Sequence, residues 1–197
     1  LLARQGFVDS ARFVGLTEDV EFIRDVGLST ENLEGYLFPE TYFVEPDAPE
    51  QEIIRRMVEE FFNVLSDSLY KQLEVSGLSL HEAITLASMI ELEAVAPNER
   101  SVISSIFHRR LKLKRRLESC ATVEYALGVH KKRLTNADLR VASPYNTYRH
   151  RGLPPGPIGS PGKASIHAAL HPDNTEYLYF VARGDGTHEF SRTNKEH

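Results

Sequence analysis

The chain carries a single cysteine, Cys120, which excludes an internal disulfide framework and any zinc or iron–sulfur site built from several cysteines. It also lacks a basic excess. Lys and Arg total 23 against 28 Asp and Glu, a formal net charge of −5 that counts against nucleic acid as the partner. No apolar run reaches the ~20 residues that a membrane helix needs. There is neither an internal repeat nor a low-complexity tract. What is present is ordinary globular composition, 41% hydrophobic and 26% charged over 197 residues, enough for one sizeable core and a small attached piece. The sequence starts at Leu1 and stops in a polar stretch, so it reads as a soluble fragment excised from something longer.

Hydrophobic spacing predicts an α+β fold, several helices packed on a small, mainly antiparallel sheet. Residues 1–28 read as a lead-in, with a helix begun at Leu16-Thr17-Glu18-Asp19 and carried by Val20, Ile23 and Val26; residues 29–197 form the main domain. Residues 33–44, LEGYLFPETYFV, read as extended and aromatic-rich, and Pro39 confines any strand there to an edge or splits it. Asp47 as N-cap, with Glu50 three positions on, starts one long amphipathic helix through Ile54, Val58, Phe61, Leu65, Leu69 and Leu73 to Gly77. Ser79 and Glu82 form a capping box for the next helix. Its apolar Ile84, Leu86, Ala87, Met89, Ile90, Leu92, Ala94 and Val95 surround it, so burial on nearly all sides is expected.

A third helix starts near Pro97 and runs through Ile103 and Phe107 to about residue 113, and a shorter one covers 121–127 before Gly128. Residues 151–162, RGLPPGPIGSPG, hold four Gly and four Pro, a density that neither a helix nor a central strand tolerates, so they form a shaped loop. Ser160-Pro161 then caps a helix to about Leu170. Gly184-Asp185-Gly186 between 177–182 and 187–191 is a hairpin signal.

Glu91 is the most informative residue. With Thr85 and Ser88 it forms the one narrow polar stripe of the buried helix. A carboxylate there is expensive to desolvate unless it is paired or opens onto a cleft, and burial raises a carboxyl pKa toward the range that suits a general acid. It reads either as that acid or as a structural Glu met by an Arg or backbone donors. Glu93 lies two residues on, roughly 200° around the helix, so the two carboxylates cannot form a dyad; Glu93 reads as a structural ion-pair partner. Glu40 and Tyr42 beside the Phe38-Pro39 kink suit a sugar cleft or a sheet core equally. Tyr145, Asn146 and Thr147 lead into the Gly/Pro loop and are candidates for one wall of a cleft, with Gly156 in the loop itself. For Asn146 the alternative is an Asx-turn.

Other motifs carry less. Ser160-Pro161-Gly162-Lys163 matches S-x-x-K, but without the accompanying S-D-N or K-T-G it reads as a helix cap. His167 and His171 share a helix face without the glutamate of H-E-x-x-H, so zinc is not implied. The run from Arg109 to Arg116 packs six basic residues into eight positions and reads as a solvated helix end, or as a contact for an anionic polymer or membrane surface.

Four segments, LEGYLFPETYFV (33–44), ITLASMIELEA (84–94), SPYNTYRHRGLPPGPIGSPG (143–162) and YLYFVARGDGTHEF (177–190), together resemble the endolytic murein transglycosylases of the YceG-like family, in order and spacing. The resemblance places the family's catalytic glutamate on Glu91, the first Glu of Ala87-Ser88-Met89-Ile90-Glu91-Leu92-Glu93, and brings Ser88 beside it into the candidate site. It implies cleavage inside peptidoglycan glycan strands, at the bond between N-acetylmuramic acid and N-acetylglucosamine, leaving 1,6-anhydro ends and terminating nascent strands. It implies neither metal nor organic cofactor. An older lyase label on the family would need pyridoxal phosphate, yet Lys112, Lys114, Lys131 and Lys132 all lie in charged runs.

Further implications are a bacterial protein with one N-terminal membrane helix, a periplasmic or extracellular body, an upstream LysM-like subdomain, and peptidoglycan synthases as partners. The family's Asp-Pro pair is replaced here by Cys120-Ala121, so any role of that Asp does not transfer, and loss of the proline frees the helix to start earlier. Two rivals remain at this level: a hydrolase pairing Glu91 with Glu40, and a glycan-binding module without activity.

Overall fold

The computed structural model describes residues 8–45, 47–131 and 133–194; Lys132 and both ends of the chain lie outside it. Among these residues it has eight α-helices and a two-stranded antiparallel sheet, the α+β class expected. Helices α1 (Ser10–Thr17) and α2 (Val20–Asp25) are N-capped by Asp9 and Asp19, whose carboxylates each accept a first-turn backbone N–H. The sequence pattern identified only the second of them. Phe22, Ile23 and Leu28 enter the same core as the rest of the chain. No strand forms over 33–44. The segment crosses the body as irregular backbone that buries Leu33, Tyr36 and Phe38.

Helix α3 (Glu50–Val64) starts after Pro49, and Asp47 caps nothing. Glu50 is drawn elsewhere: it accepts the Asp9 N–H at 3.2 Å and pins the start of α1. The long helix expected to run to Gly77 is broken. Leu65 leaves the helical region and Ser66 starts α4 (Asp67–Ser76), an N-cap signal lying inside the apolar periodicity. Gly77 ends α4 at φ 72°, a left-handed conformation that glycine adopts without penalty.

Helix α5 (Leu80–Glu93) carries the Ser79–Glu82 capping box and is buried without interruption from Ala83 to Ile90. Against it pack α6 (Arg100–Lys112), α7 (Cys120–Leu127) and, most extensively, α8 (Lys163–Leu170). Ala83 and Ala87 on α5 and Ala168 and Ala169 on α8 are all buried, small side chains that let two backbones approach closely. The cap of α8 is Gly162, not Ser160. Helix α7 starts at Cys120, the position a following proline would have held out of the helix. Strands β1 (Tyr179–Ala182) and β2 (His188–Ser191) form the hairpin, with Phe180 opposite Phe190.

The basic run is not simply solvated. Arg110 is 5% exposed: its guanidinium donates to the carbonyls of Leu178, Arg116 and Leu117 and to Glu118 Oε2. It thereby fixes the turn after α6 to β1. Within that turn Glu118 sits at φ 53°, an uncommon conformation for a residue with a side chain, held by the Arg110 ion pair at 2.9 Å and by Thr147 O, which accepts its N–H. No described helix is long and apolar enough to cross a membrane.

Candidate active site

The exposed C-terminal end of α5 brings the two carboxylates onto opposite flanks. Glu91 Oε2 accepts the backbone N–H of Gly162 at 3.1 Å, and Oε1 lies 3.6 Å from Arg100 Nη2. Arg100 is itself oriented by Ser165 Oγ, which accepts from Nε at 3.1 Å. The Glu91 side chain is 32% exposed, so the deep burial expected for it does not occur. It is a half-buried carboxylate with one cation and one backbone donor on it.

Glu93 is the carboxylate that burial does affect. No ion pair holds it among the described residues. Ser119 Oγ donates to its Oε1 at 2.5 Å and the Ala121 N–H at 3.3 Å. Burial pushes its pKa up, opposed by the Ser119 hydroxyl, the amides of Ala121 and Cys120, and the charge of His188. His188 in turn meets Glu99 through Nδ1 at 2.7 Å and through its backbone N–H at 2.9 Å. Burial also raises the Cys120 thiol, 3.3 Å from Tyr148 Oη, and the Tyr148 hydroxyl itself.

The Gly/Pro loop is held on α5 by side chains that sequence spacing does not connect. Ser88, fully buried, donates to Thr85 O at 2.7 Å and accepts the Ile158 N–H at 3.0 Å. It therefore fastens the loop, and no face of it is open to a ligand. His81 bridges Tyr36 Oη and Pro155 O, each at 2.8 Å. Gly156 lies so close to Tyr145 and His81 that a Cβ would come within 3.3 Å of Tyr145 Oη.

Asn146 is fully buried. Its amide donates to Leu139 O and Val141 O, and Oδ1 accepts the Tyr148 N–H. The Asx-type local role prevails over direct contact. Thr147 is likewise buried, its Oγ1 accepting the Ser119 N–H and pairing with Thr122 Oγ1. Tyr145 is half-buried, packed against the core, and lines the first of the hollows described below. Glu40 is exposed and accepts the Thr41 N–H, while Tyr42 donates to Phe38 O, its hydroxyl raised to about 12 by burial and the charges of Glu60 and Glu40. None of these contacts joins Glu40 to Glu91.

Three hollows adjoin the loop and the end of α5. The first, about 550 Å³, lies between α2 and the loop and includes His81, Tyr145 and Gly156. The second, about 470 Å³, includes Leu92, Glu93, Cys120, Tyr125 and Ile158. The third, about 420 Å³, includes Glu93, Cys120, Tyr148, Tyr179 and His188. Tyr145 lines the first and Tyr125 the second, and their rings are 4.8 Å apart. Among the described residues no three His, Cys, Asp or Glu side chains are grouped to hold a metal ion. His167 and His171 stack at 4.0 Å on one helix face.

Arg100, Gly162 and Ser119 are the residues sequence reasoning did not find. Each acts on a carboxylate from a separate element, and no local pattern marks them.

A model of the YceG-like family matches residues 3–197. The chain is 46% identical over 166 residues to the endolytic murein transglycosylase of Bacillus subtilis strain 168, covering 84% of this chain and 46% of that protein. It is 31% identical over 180 residues to the endolytic murein transglycosylase of Streptococcus pneumoniae serotype 2, covering 87% of this chain and 32% of that protein. It thus spans less than half the length of either relative. A crystal structure of a yceG-like protein from Listeria monocytogenes superposes with a TM-score of 0.88 at 37% identity, over 99% of this chain and 68% of that one.

Proposed function

The chain belongs to the YceG-like family, and on that premise we propose that it is the catalytic part of a peptidoglycan lytic transglycosylase, with Glu91 as its acid and base. The substrate is a glycan strand, cut internally between N-acetylmuramic acid and N-acetylglucosamine.

Glu91 first protonates the glycosidic oxygen of the departing N-acetylglucosamine as positive charge develops on the muramic acid ring. It is then a carboxylate, and as a base it takes the proton of the muramic acid 6-hydroxyl while that oxygen closes on C1. The glycosidic bond breaks, the 1,6-anhydro bond forms, and one proton is returned to the enzyme. No water is consumed, so a single carboxyl group suffices. The carboxylate stage is met by the Gly162 N–H, which donates to it, and by the Arg100 cation 3.6 Å away, both in place before charge appears.

The observation that carries this function is the placing of Glu91 at the open end of an otherwise buried helix, with one backbone donor and one cation on it, in a chain 46% identical to a murein transglycosylase. Anchoring to the cytoplasmic membrane by a preceding helix, with the body outside it, belongs to the same proposal, as do synthase partners and action on nascent strands.

The test is a digest of purified peptidoglycan by the 197-residue chain, read by mass spectrometry. Anhydro-muropeptides lacking one water are expected. Reducing ends would mean a hydrolase, and binding without release would mean a non-catalytic module.

A further inference from the structure

Glu93 is not used by the proposed chemistry, yet it is the most unusual ionisable group at the end of α5. The Ser119 hydroxyl and the Ala121 amide both donate to its Oε1, and the Cys120 amide also acts on the carboxyl. The side chain lines the second hollow and the third, and so does Cys120, so these two depressions, together the groove, adjoin at Glu93.

The groove walls have the mixed character of a sugar site. Leu92 and Val129 on one side and Val181 on the other are exposed apolar side chains. Tyr125 supplies an aromatic ring with a polar tip, whereas the Tyr179 ring is covered by the Arg110 and Arg115 guanidinium groups and its hydroxyl accepts from Arg115. An acetamido sugar presents the complementary set: an apolar methyl and ring face, with an amide and hydroxyls at the edge. Leu92, which lines the second hollow, follows Glu91 directly on α5, while Glu91 itself lines neither hollow and lies on the other flank of the helix.

We propose that the groove past Glu93 is a subsite for an N-acetylated sugar of the glycan strand, and that the Glu93 carboxyl, anchored through Oε1, binds that sugar as a hydrogen-bond donor through Oε2. This rests on the glycan reading above and adds a binding residue to it. The strain at Glu118 has a place in it: the turn from Leu117 to Cys120, pinned by Arg110 and Thr147, delivers the Ser119 hydroxyl to Glu93.

The groups around Glu93 set what a pH titration will read. They are Cys120, Glu124 and Tyr125 from α7 with His130 just after it, Tyr148 from its loop, Arg110 from α6 and Glu118 from the turn that follows, Tyr179 from β1, and His188 from β2 with its partner Glu99. A donor carboxyl must be protonated. Binding is therefore tight below the raised Glu93 pKa and weakens as pH rises through it.

The experiment measures binding of an N-acetylglucosamine tetrasaccharide and of purified glycan strands to chains bearing Glu91→Gln, so that cleavage does not interfere. Adding Glu93→Ala is expected to weaken both ligands roughly 3- to 10-fold, the size of one lost hydrogen bond. Adding Glu93→Gln, an isostere that donates at every pH, is expected to flatten the pH dependence of binding while the Glu99–His188 pair stays in place.

Unchanged affinity in a folded Glu93→Ala chain would overturn the subsite, and so would parallel pH profiles with and without Glu93→Gln. If the alanine variant unfolds, the Glu93→Gln profile decides alone. The two proposals fail separately. Anhydro-product release with Glu93-independent binding removes only the subsite; Glu93-dependent binding without anhydro products removes only the transglycosylase.

Discussion

Gly162 and Glu91 are joined by one hydrogen bond, backbone N–H to Oε2 at 3.1 Å, across 71 positions of sequence. The bond makes the position of the carboxylate depend on where the Gly/Pro loop ends. A Cβ at residue 162 would meet Oε2 at 3.6 Å, an ordinary contact, and φ there is −79°, so neither crowding nor conformation demands glycine. What matters is the N–H at the mouth of α8.

Glu91→Gln keeps the size of the side chain and removes the titratable proton. The variant is expected to fold with a thermal midpoint near that of the unsubstituted chain. Release of anhydro-muropeptides should drop by at least ~10²-fold, the lower end of what general acid–base catalysis contributes. Near-normal release by the folded variant would remove Glu91 from the chemistry.

Gly35→Ala tests how the loop is seated. Gly35 has φ +86°, and a Cβ there would lie 2.5 Å from Pro157 Cβ and 3.1 Å from Ile84 Cγ2. A left-handed alanine and an overpacked contact together should cost ~2–4 kcal/mol. In a chain of this size that lowers the thermal midpoint by roughly 5–15 °C, readable by calorimetry. An unchanged midpoint would show that the loop moves away freely.

Gly156→Val acts at the wall of the first hollow. Its φ is not in the left-handed region, so the constraint is the 3.3–3.4 Å approach to Tyr145 and His81. Displacing those rings is expected to lower turnover proportionally more than stability. Paired melts and digests read this; equal losses in both would make the loop a folding element only.

Asp138 sets an acid dependence. Its carboxylate is lowered from 3.8 to about 2, first by the Lys131 ammonium and then by the Thr135 N–H and hydroxyl. A lowered folded-state pKa means that the stabilisation is present above the unfolded value and is lost as pH falls toward about 2. Asp138→Asn should therefore melt lower than the unsubstituted chain at neutral pH, with the gap closing on acidification. A gap that does not change with pH would assign the effect to hydrogen-bond geometry.

Local signals in the sequence determined the elements that depend on a few neighbouring residues. The Ser79–Glu82 box starts α5, Gly77 and Gly128 end helices in the left-handed region, and the Gly184–Gly186 turn joins two strands. The continuous apolar character of α5 made it central, and its position in sequence made Glu91 conspicuous. One local signal was masked by a longer pattern: Ser66 breaks a periodicity that runs on through Leu69 and Leu73.

What only the tertiary structure decided is the partner of each polar group. Glu93 receives Ser119 and Ala121 from 26 and 28 positions away, Arg110 reaches Leu178 across 68, and Ser88 meets Ile158 across 70. The physical reason is one of range. Periodicity and capping act over one or two helical turns, whereas a buried or half-buried polar atom takes whichever donor the packed chain brings within ~3 Å. That is why two glutamates two residues apart, alike in sequence, came to differ: one faces solvent beside Arg100, and the other is drawn in against the start of α7.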